Sequence, residues 1–167
     1  MRALVVLAHP LSDSLCAHLS HEAVAGLRAR GASVDFLDLY AEGFEPALTA
    51  AERRLHYATP QPGPDIVPLQ QRLAAADTLV LVFPTWWFAM PAILKGWFDR
   101  VWAPKFAFEH GTPIKPLLTS LKSCLVVTTL GDGPMRFNEL RRALGSISQR
   151  MLTMTLRALE RDGLVTR

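Results

Sequence analysis

The sequence predicts an α/β fold in which a doubly wound parallel sheet is covered by helices on both faces. Two runs, 3–8 and 78–83, are apolar without alternation, which is typical of strands buried on both faces. Amphipathic segments lie between the apolar runs, as the crossover helices of a parallel sheet require. The 167 residues, half of them hydrophobic, suffice for one domain with a buried core.

The run 3–8 predicts the first strand, near the centre of the sheet, and a helix follows it. Ser12 or Ser14 can cap this helix, and Gly31 lies just beyond its last turn. Apolar residues at four-residue spacing predict its buried face, which consists of Leu15, Leu19, Ala23 and Leu27.

The run 34–39 predicts the second strand. Thr49 and Glu52 have the spacing of a capping box, so a short helix is expected after Thr49 and should end before Pro60. The amphipathic segment 64–77 predicts a further helix, which leads back to the sheet.

The run 78–83 predicts the third strand and 123–129 the fourth. Between them, Pro91 occupies a plausible first helical position and opens a helix with a broad apolar face. Strands that alternate with helices in this way predict right-handed crossovers and a parallel sheet.

Composition excludes several classes of protein. Cys16 and Cys124 are the two cysteines, so neither a disulfide framework nor a cysteine-based zinc site is expected, and no other metal site is predicted. The most apolar stretch, 79–94, is broken by Pro84 and Pro91 and is shorter than the roughly 20 residues of a spanning helix. The apolar run 3–8 is too short for an export signal. We therefore expect a cytoplasmic protein without membrane insertion.

Ligands of open parallel sheets bind beyond the carboxyl ends of the strands, and the loop 9–14 lies at that edge. It leads into a helix N-terminus, where backbone N–H groups and the Ser12 and Ser14 hydroxyls can hold a phosphate. The alternative is that a serine merely caps the helix while His9 satisfies a turn. A glycine-rich dinucleotide fingerprint and a Walker lysine are both missing, which argues against a Rossmann NAD site or a nucleotide triphosphatase.

The loop 84–91 follows the third strand and carries two tryptophans and a phenylalanine between prolines. Large aromatic side chains on such a loop can cover a flat apolar ring, such as the isoalloxazine of a flavin. The alternative is that they pack in the core or at a dimer interface. Thr128 and Thr129 add hydroxyl and backbone donors at the same edge. Together the three loops predict a flavin site.

Five segments, in this order, resemble the NAD(P)H:quinone oxidoreductase family of flavodoxin-like flavoproteins over about residues 1–131: AHPLSDSL, LYAEGFEP, FPTWWFAMPAILKGWFDRVW, KFAFEHG and LVVTTLG. The resemblance implies a flavodoxin-like fold with bound FAD or FMN. It also implies hydride transfer from NAD(P)H to quinone-type acceptors, and a homodimer whose active sites lie at the subunit interface.

The resemblance assigns residues of all three loops to the cofactor. Those against the phosphate or pyrophosphate and the ribityl chain are His9, Asp13, Ser14 and Leu15. Those lining the isoalloxazine are Pro84, Thr85, Trp86, Trp87 and Phe88. Those approaching its other edge are Thr128, Thr129 and Gly131.

The sequence departs from this family in two places. Leu130 stands where the family has the first of two glycines, so a side chain replaces backbone that would approach the ring. The glycine-rich segment that bears the family's tyrosine and histidine has no counterpart. No catalytic residue is therefore predicted, and the flavin-binding domain, 1–131, is expected to be incomplete at its C-terminal end.

The segment 132–167 is similar to the second and third helices of HxlR-type winged helix-turn-helix regulators. It carries seven basic and four acidic residues, whereas the two signs balance in the rest of the chain. The resemblance implies a helical pair whose second helix enters the major groove. Base-facing residues would be Ser148, Gln149 and Arg150, and phosphate contacts would come from Arg141, Arg142 and Arg157.

Two interpretations of this segment stay open. It is a DNA-binding fragment, or its helices and the pair Leu164 and Val165 complete the sheet as a last helix and strand. The sequence accordingly predicts a flavin-dependent NAD(P)H oxidoreductase first. The alternatives are a redox-linked DNA-binding transcriptional regulator and a hybrid with neither activity intact.

Overall fold

The computed structural model describes residues 1–56, 62–87 and 89–130. By its contacts the chain divides into Met1–Thr129 and Leu130–Arg167, and the description below concerns the first of these units together with the end of its last strand. The predicted helix-turn-helix segment, 132–167, lies outside the described residues.

The described part contains six strands and four helices. They are β1 (Arg2–Leu7), α1 (Leu15–Ala29), β2 (Ser33–Asp38), α2 (Ala50–Leu55), α3 (Ile66–Ala75), β3 (Thr78–Thr85), α4 (Ala92–Val101), β4 (Phe108–Glu109), β5 (Lys115–Pro116) and β6 (Ser123–Leu130). The main sheet has the order β2-β1-β3-β6, and β1 is parallel to both β2 and β3. The predicted parallel α/β fold is confirmed.

Two hydrophobic cores cover the two faces of this sheet, which explains why the apolar runs do not alternate. Leu4 of β1 lies opposite Leu79 of β3 on one face, and Val5 lies opposite Val80 on the other. The first face packs against α3 and α4, and the second packs against α1. Burying a leucine or valine side chain is worth about 1.5–3 kcal/mol, so these strands stabilise the fold from both sides.

The predicted buried face of α1 is wrong at its start. Leu15 is 59% exposed, whereas the buried residues of the helix are Cys16, Ala17, Ser20 and Val24. These small side chains allow the helix to approach the sheet closely, and the Ser20 hydroxyl is satisfied by donating to the Ala17 carbonyl at 2.7 Å. Spacing alone favoured the larger Leu15, which lies at the first turn and faces solvent.

The end of the described sheet is poorly covered. β6 has β3 as its neighbour on one side, and its central residues Leu125 and Val126 are 53% and 52% exposed. They are adjacent in the strand and therefore point to opposite faces. Hydrophobic packing thus contributes less to the placement of β6 than to that of β1.

The predicted capping box is confirmed, and the helix that it starts helps to anchor α4. Thr49 accepts from the Glu52 N–H at 3.1 Å, and the Glu52 carboxylate accepts from the Thr49 N–H at 2.7 Å. Pro91 is the N-cap of α4 rather than its first helical residue. Its N–H is missing in either position, so both placements suit a proline.

A buried guanidinium holds α4 against two other helices. Arg100 pairs with Glu52 at 2.9 Å and with Asp65 at 2.8 Å, and it donates to the Glu45 carbonyl at 2.6 Å. Burial alone would raise the pKa of the Glu52 carboxyl, but hydrogen bonds from Arg100 and Thr49 outweigh it and lower the pKa. The charge network fixes the start of α2 and of α3 on α4.

A short antiparallel hairpin, formed by β4 and β5, was not predicted. Each of its strands is two residues long, which is too short to produce a periodic pattern. Among the described residues, no helix combines the length and the hydrophobicity needed to cross a bilayer.

Candidate functional site

The three predicted loops meet at one edge of the sheet, here called the carboxyl edge, where β1, β3 and β6 end. The His9 and Trp86 rings, which follow β1 and β3, have centroids 5.9 Å apart and are inclined by 58°. The Thr85 and Thr128 hydroxyls, from β3 and β6, are hydrogen-bonded at 2.5 Å. Side chains of all three loops are therefore in contact through these two pairs.

The first loop ends in a conventional helix cap. Ser14, not Ser12, is the N-cap of α1, and its Oγ accepts from the Ala17 N–H at 3.2 Å. The first turn of α1 contains no acidic residue, so no negative side chain of this turn neutralises the positive end of the helix dipole. The structure thus bears out the capping alternative for Ser14, and the same geometry suits an anion at the helix start.

His9 satisfies a turn and still has a ring nitrogen to offer. The Leu11 N–H donates to His9 Nδ1 at 3.0 Å. The Leu11 carbonyl oxygen lies 3.2 Å from the same nitrogen, so both contacts use Nδ1. Nε2 is therefore the ring nitrogen that can face a ligand at the carboxyl edge.

The second loop is a tight turn that displays its aromatic side chains. Trp86 and Ala89 exchange two backbone hydrogen bonds, each 3.0 Å long, with Trp87 between them. Trp87 is 95% exposed and Trp86 is 42% exposed. Packing of these two tryptophans in the core of the described chain is therefore excluded, whereas a ligand or a second subunit could cover them.

The backbone of this turn is strained at Trp87, which has a φ of 51°. The left-handed region is rare for residues with a large side chain and costs of the order of 1–3 kcal/mol. The hydrogen bonds between Trp86 and Ala89 oppose this cost. The result is a fixed turn that holds an indole ring away from the protein surface.

The remaining predicted residues are placed as follows. Asp13 and Leu15 are exposed at the start of α1. Pro84 is a buried residue of β3, and Thr129 is a residue of β6. Eight predicted site residues lie outside the described part: Phe88, Gly131, Arg141, Arg142, Ser148, Gln149, Arg150 and Arg157.

Two further apolar residues are exposed on the same loops and were not predicted. Leu11 lies between His9 and Ser14, and Met90 follows the tryptophan turn. The sequence signal that could have identified them is an apolar residue within a loop that follows a buried strand. They add exposed apolar side chains to these two loops.

Comparison with known proteins gives a consistent result. Residues 1–157 match the protein family described as having a flavodoxin-like fold. The chain is 37% identical over 151 residues to NAD(P)H dehydrogenase [quinone] 1 of Rattus norvegicus, an alignment that covers 80% of this chain and 55% of the rat protein. The chain thus spans little more than half the length of that relative.

Two solved structures are similar in fold. One is an NAD(P)H:quinone oxidoreductase from Methanothermobacter marburgensis, with a TM-score of 0.76, 24% identity, and coverage of 96% of this chain and 77% of that one. The other is an FMN-dependent NADH-azoreductase from Bacillus anthracis in complex with FMN, with a TM-score of 0.59, 18% identity, and coverage of 94% and 81%.

The family match continues beyond Gly131, into the segment that resembles helix-turn-helix regulators. It supports a flavodoxin-like assignment through residue 157. The resemblance of 132–167 to HxlR-type regulators stays a prediction that this match does not support.

Proposed function

Because this chain belongs to the flavodoxin-like fold family, we propose that it is a flavin-dependent oxidoreductase that transfers hydride from NAD(P)H to quinone-type acceptors. The observation that carries the proposal is the contact of the three loops, through His9 with Trp86 and Thr85 with Thr128, at the carboxyl edge. The names of the rat relative and of the Methanothermobacter structure point to the same reaction.

The residues at the carboxyl edge suit a flavin by shape and by hydrogen-bonding capacity. Trp86 and Trp87 offer exposed aromatic surface for a planar ring. His9 and Thr128 can each donate a hydrogen bond, and the start of α1 suits a phosphate. Both FMN and FAD satisfy these requirements, and FMN is bound in the similar azoreductase.

When bound, a flavin supplies two-electron hydride transfer between a nicotinamide and a quinone. The net reaction converts NAD(P)H, one proton and a quinone into NAD(P)⁺ and a hydroquinone. The tryptophan turn would orient the flat reactants, and the donors His9 and Thr128 would stabilise negative charge on the reduced ring.

The proposal includes a homodimer in a reducing, cytoplasmic setting. Leu11, Leu15, Trp87 and Met90 are each exposed apolar residues on the loops of the carboxyl edge or at the start of α1, where a second subunit could cover them. Sedimentation analysis tests this part: a dimer is expected, and a monomer at micromolar concentration would contradict it.

The flavin assignment is tested directly on the purified full chain. After reconstitution with FMN and, separately, with FAD, absorbance bands near roughly 375 and 450 nm should remain with the protein through gel filtration. Addition of NADPH or NADH should bleach them, and a quinone should restore them. Loss of the flavin from the protein in both reconstitutions would overturn the proposed function.

A DNA-binding function is the second candidate, and the basic excess in 132–167 favours it. The residues assigned to it, Ser148, Gln149, Arg150 and Arg157, lie outside the described part. A gel shift on the promoter region of the protein's own gene, at low and moderate salt, tests this candidate. Equal retardation of specific and scrambled DNA would leave the oxidoreductase without a regulatory role.

A further inference from the structure

Two hydroxyl pairs join β3 to β6, one at each end of the strands. At the amino end, the Ser123 hydroxyl donates to Thr78 Oγ1 at 3.0 Å. At the carboxyl edge, the Thr85 and Thr128 hydroxyls are 2.5 Å apart. Both pairs are bonds between two hydroxyls, although Thr78 also donates to Asp77 Oδ1 at 3.0 Å. Only the second pair lies beside the tryptophan turn and His9.

The pair at the carboxyl edge adds to the backbone hydrogen bonds between β3 and β6, and it matters because the side chains of β6 are only partly packed. Leu125 and Val126 are about half exposed on opposite faces, so neither face of the strand is well packed there. Val127 is partly buried against the core on the α1 face. A side-chain bond near the end of β6 therefore contributes to the position of Thr128.

The pair also limits how Thr128 can act, because one of the two hydroxyls donates to the other. Each hydroxyl has one proton and can accept as well as donate. If Thr85 donates to Thr128, the Thr128 proton is left for a ligand, and the first bond strengthens the second by polarisation. A Thr128 hydroxyl without this partner would rotate among several orientations and would be a weaker donor.

We propose that Thr85 is a positioning residue, which acts through Thr128 by holding the Thr128 hydroxyl as a donor toward the ring of the bound flavin. The inference rests on the proposed function, but it assigns a role to a contact that a flavin site does not require. It predicts that Thr85 affects both the affinity for the flavin and its reduction potential, because the donor favours the more negative, reduced form.

The experiment uses the full chain and five variants. Thr85→Val removes the hydroxyl and keeps the branched shape, and Thr85→Ser keeps the hydroxyl. Thr78→Val breaks the matched pair at the opposite end of the same strands and serves as the control. Thr128→Val and the double variant Thr85→Val/Thr128→Val complete a double-mutant cycle.

The measured quantities are the Kd for FMN and FAD, from quenching of flavin fluorescence, and the midpoint potential of the bound flavin. Thr85→Val should raise the Kd about 3- to 10-fold, as expected for one net hydrogen bond, and should lower the potential. Thr85→Ser should resemble the wild type. Thr78→Val should lower the melting temperature at most, with an unchanged potential. In the Thr128→Val background, Thr85→Val should have little further effect.

The outcomes separate the inference from the proposed function. A wild type that binds no flavin overturns both. A wild type that binds flavin, with Thr85→Val at the same potential and Kd, overturns the inference alone. Equal shifts in potential for Thr85→Val and Thr78→Val would mean that any loosening of β6 suffices, which also overturns it. Additive effects of Thr85→Val and Thr128→Val would show that Thr85 does not act through Thr128.

Discussion

The His9 ring lies 5.9 Å from the Trp86 ring, centroid to centroid, although the two residues follow different strands and are remote in sequence. This contact connects the loop that starts α1 with the tryptophan turn. It therefore places an imidazole ring and exposed aromatic surface at the same point of the carboxyl edge.

Replacement of His9 by alanine should weaken flavin binding. The variant loses the Nε2 donor and the contact with Trp86, so the Kd for FMN or FAD should rise about 3- to 10-fold. The rings of His21 and Phe36 form a comparable pair, with centroids 5.6 Å apart, and this pair lies away from the predicted site. His21→Ala is thus the matched control and should leave the Kd unchanged. An effect of equal size in both variants would point to general destabilisation.

The Trp87 indole should contribute more to binding than to stability. Because the side chain is 95% exposed, Trp87→Ala should change the melting temperature little, yet it should raise the flavin Kd roughly 10- to 100-fold through lost stacking area. Leu125→Ala, which removes another exposed apolar side chain nearer the amino end of β6, is the control for affinity. A Trp87→Ala variant with wild-type affinity would remove the tryptophan from the proposed site.

The strands of the main sheet and the central place of the first one could be predicted, because burial on both faces leaves an unbroken apolar run, as in 3–8 and 78–83. The capping box at Thr49 was equally readable, since both of its bonds are local. What could not be predicted depends on contacts between distant residues. The Thr85–Thr128 bond and the left-handed φ of Trp87 leave no pattern in the sequence.

The buried face of α1 shows a second limit of sequence patterns. Spacing identified a helix and its approximate length, but Leu15 is exposed while the smaller Ala17 and Ser20 face the sheet. Close approach of the helix to the sheet requires small residues at the contact. A prediction based on hydrophobicity favours leucine over such residues and therefore selects the wrong face. The predicted site residues at the start of α1 are consequently more exposed than the pattern implied.

Gly96 should be essential to the packing of α4. A Cβ atom at this position would lie 2.2 Å from the Pro46 carbonyl oxygen, so Gly96→Ala should lower the free energy of unfolding by about 1–3 kcal/mol. Gly26→Ala in α1 is the matched control, because a Cβ there meets only Arg30 Nη1 at 3.8 Å. That variant should be stabilised by roughly 0.5–1 kcal/mol, as expected for a helix interior. Urea unfolding measures both, and a neutral Gly96→Ala would contradict the close contact.

Glu52 should make the stability of the protein depend on pH in the acid range. Its pKa is lower in the folded chain, since the hydrogen bonds from Arg100 and Thr49 outweigh the effect of burial. A group with a lowered folded pKa stabilises the fold above its unfolded pKa, about 4.3, and this contribution is lost as the pH falls through the folded value. Glu52→Gln should therefore be less stable than the wild type at pH 7, and the difference should shrink below about pH 4.3.

Glu22→Gln, on an exposed part of α1, should follow the wild-type curve, and urea unfolding from pH 7 to pH 3 provides the measurement. A constant difference between Glu52→Gln and the wild type over this range would mean that the Arg100 pair does not depend on the charge of Glu52.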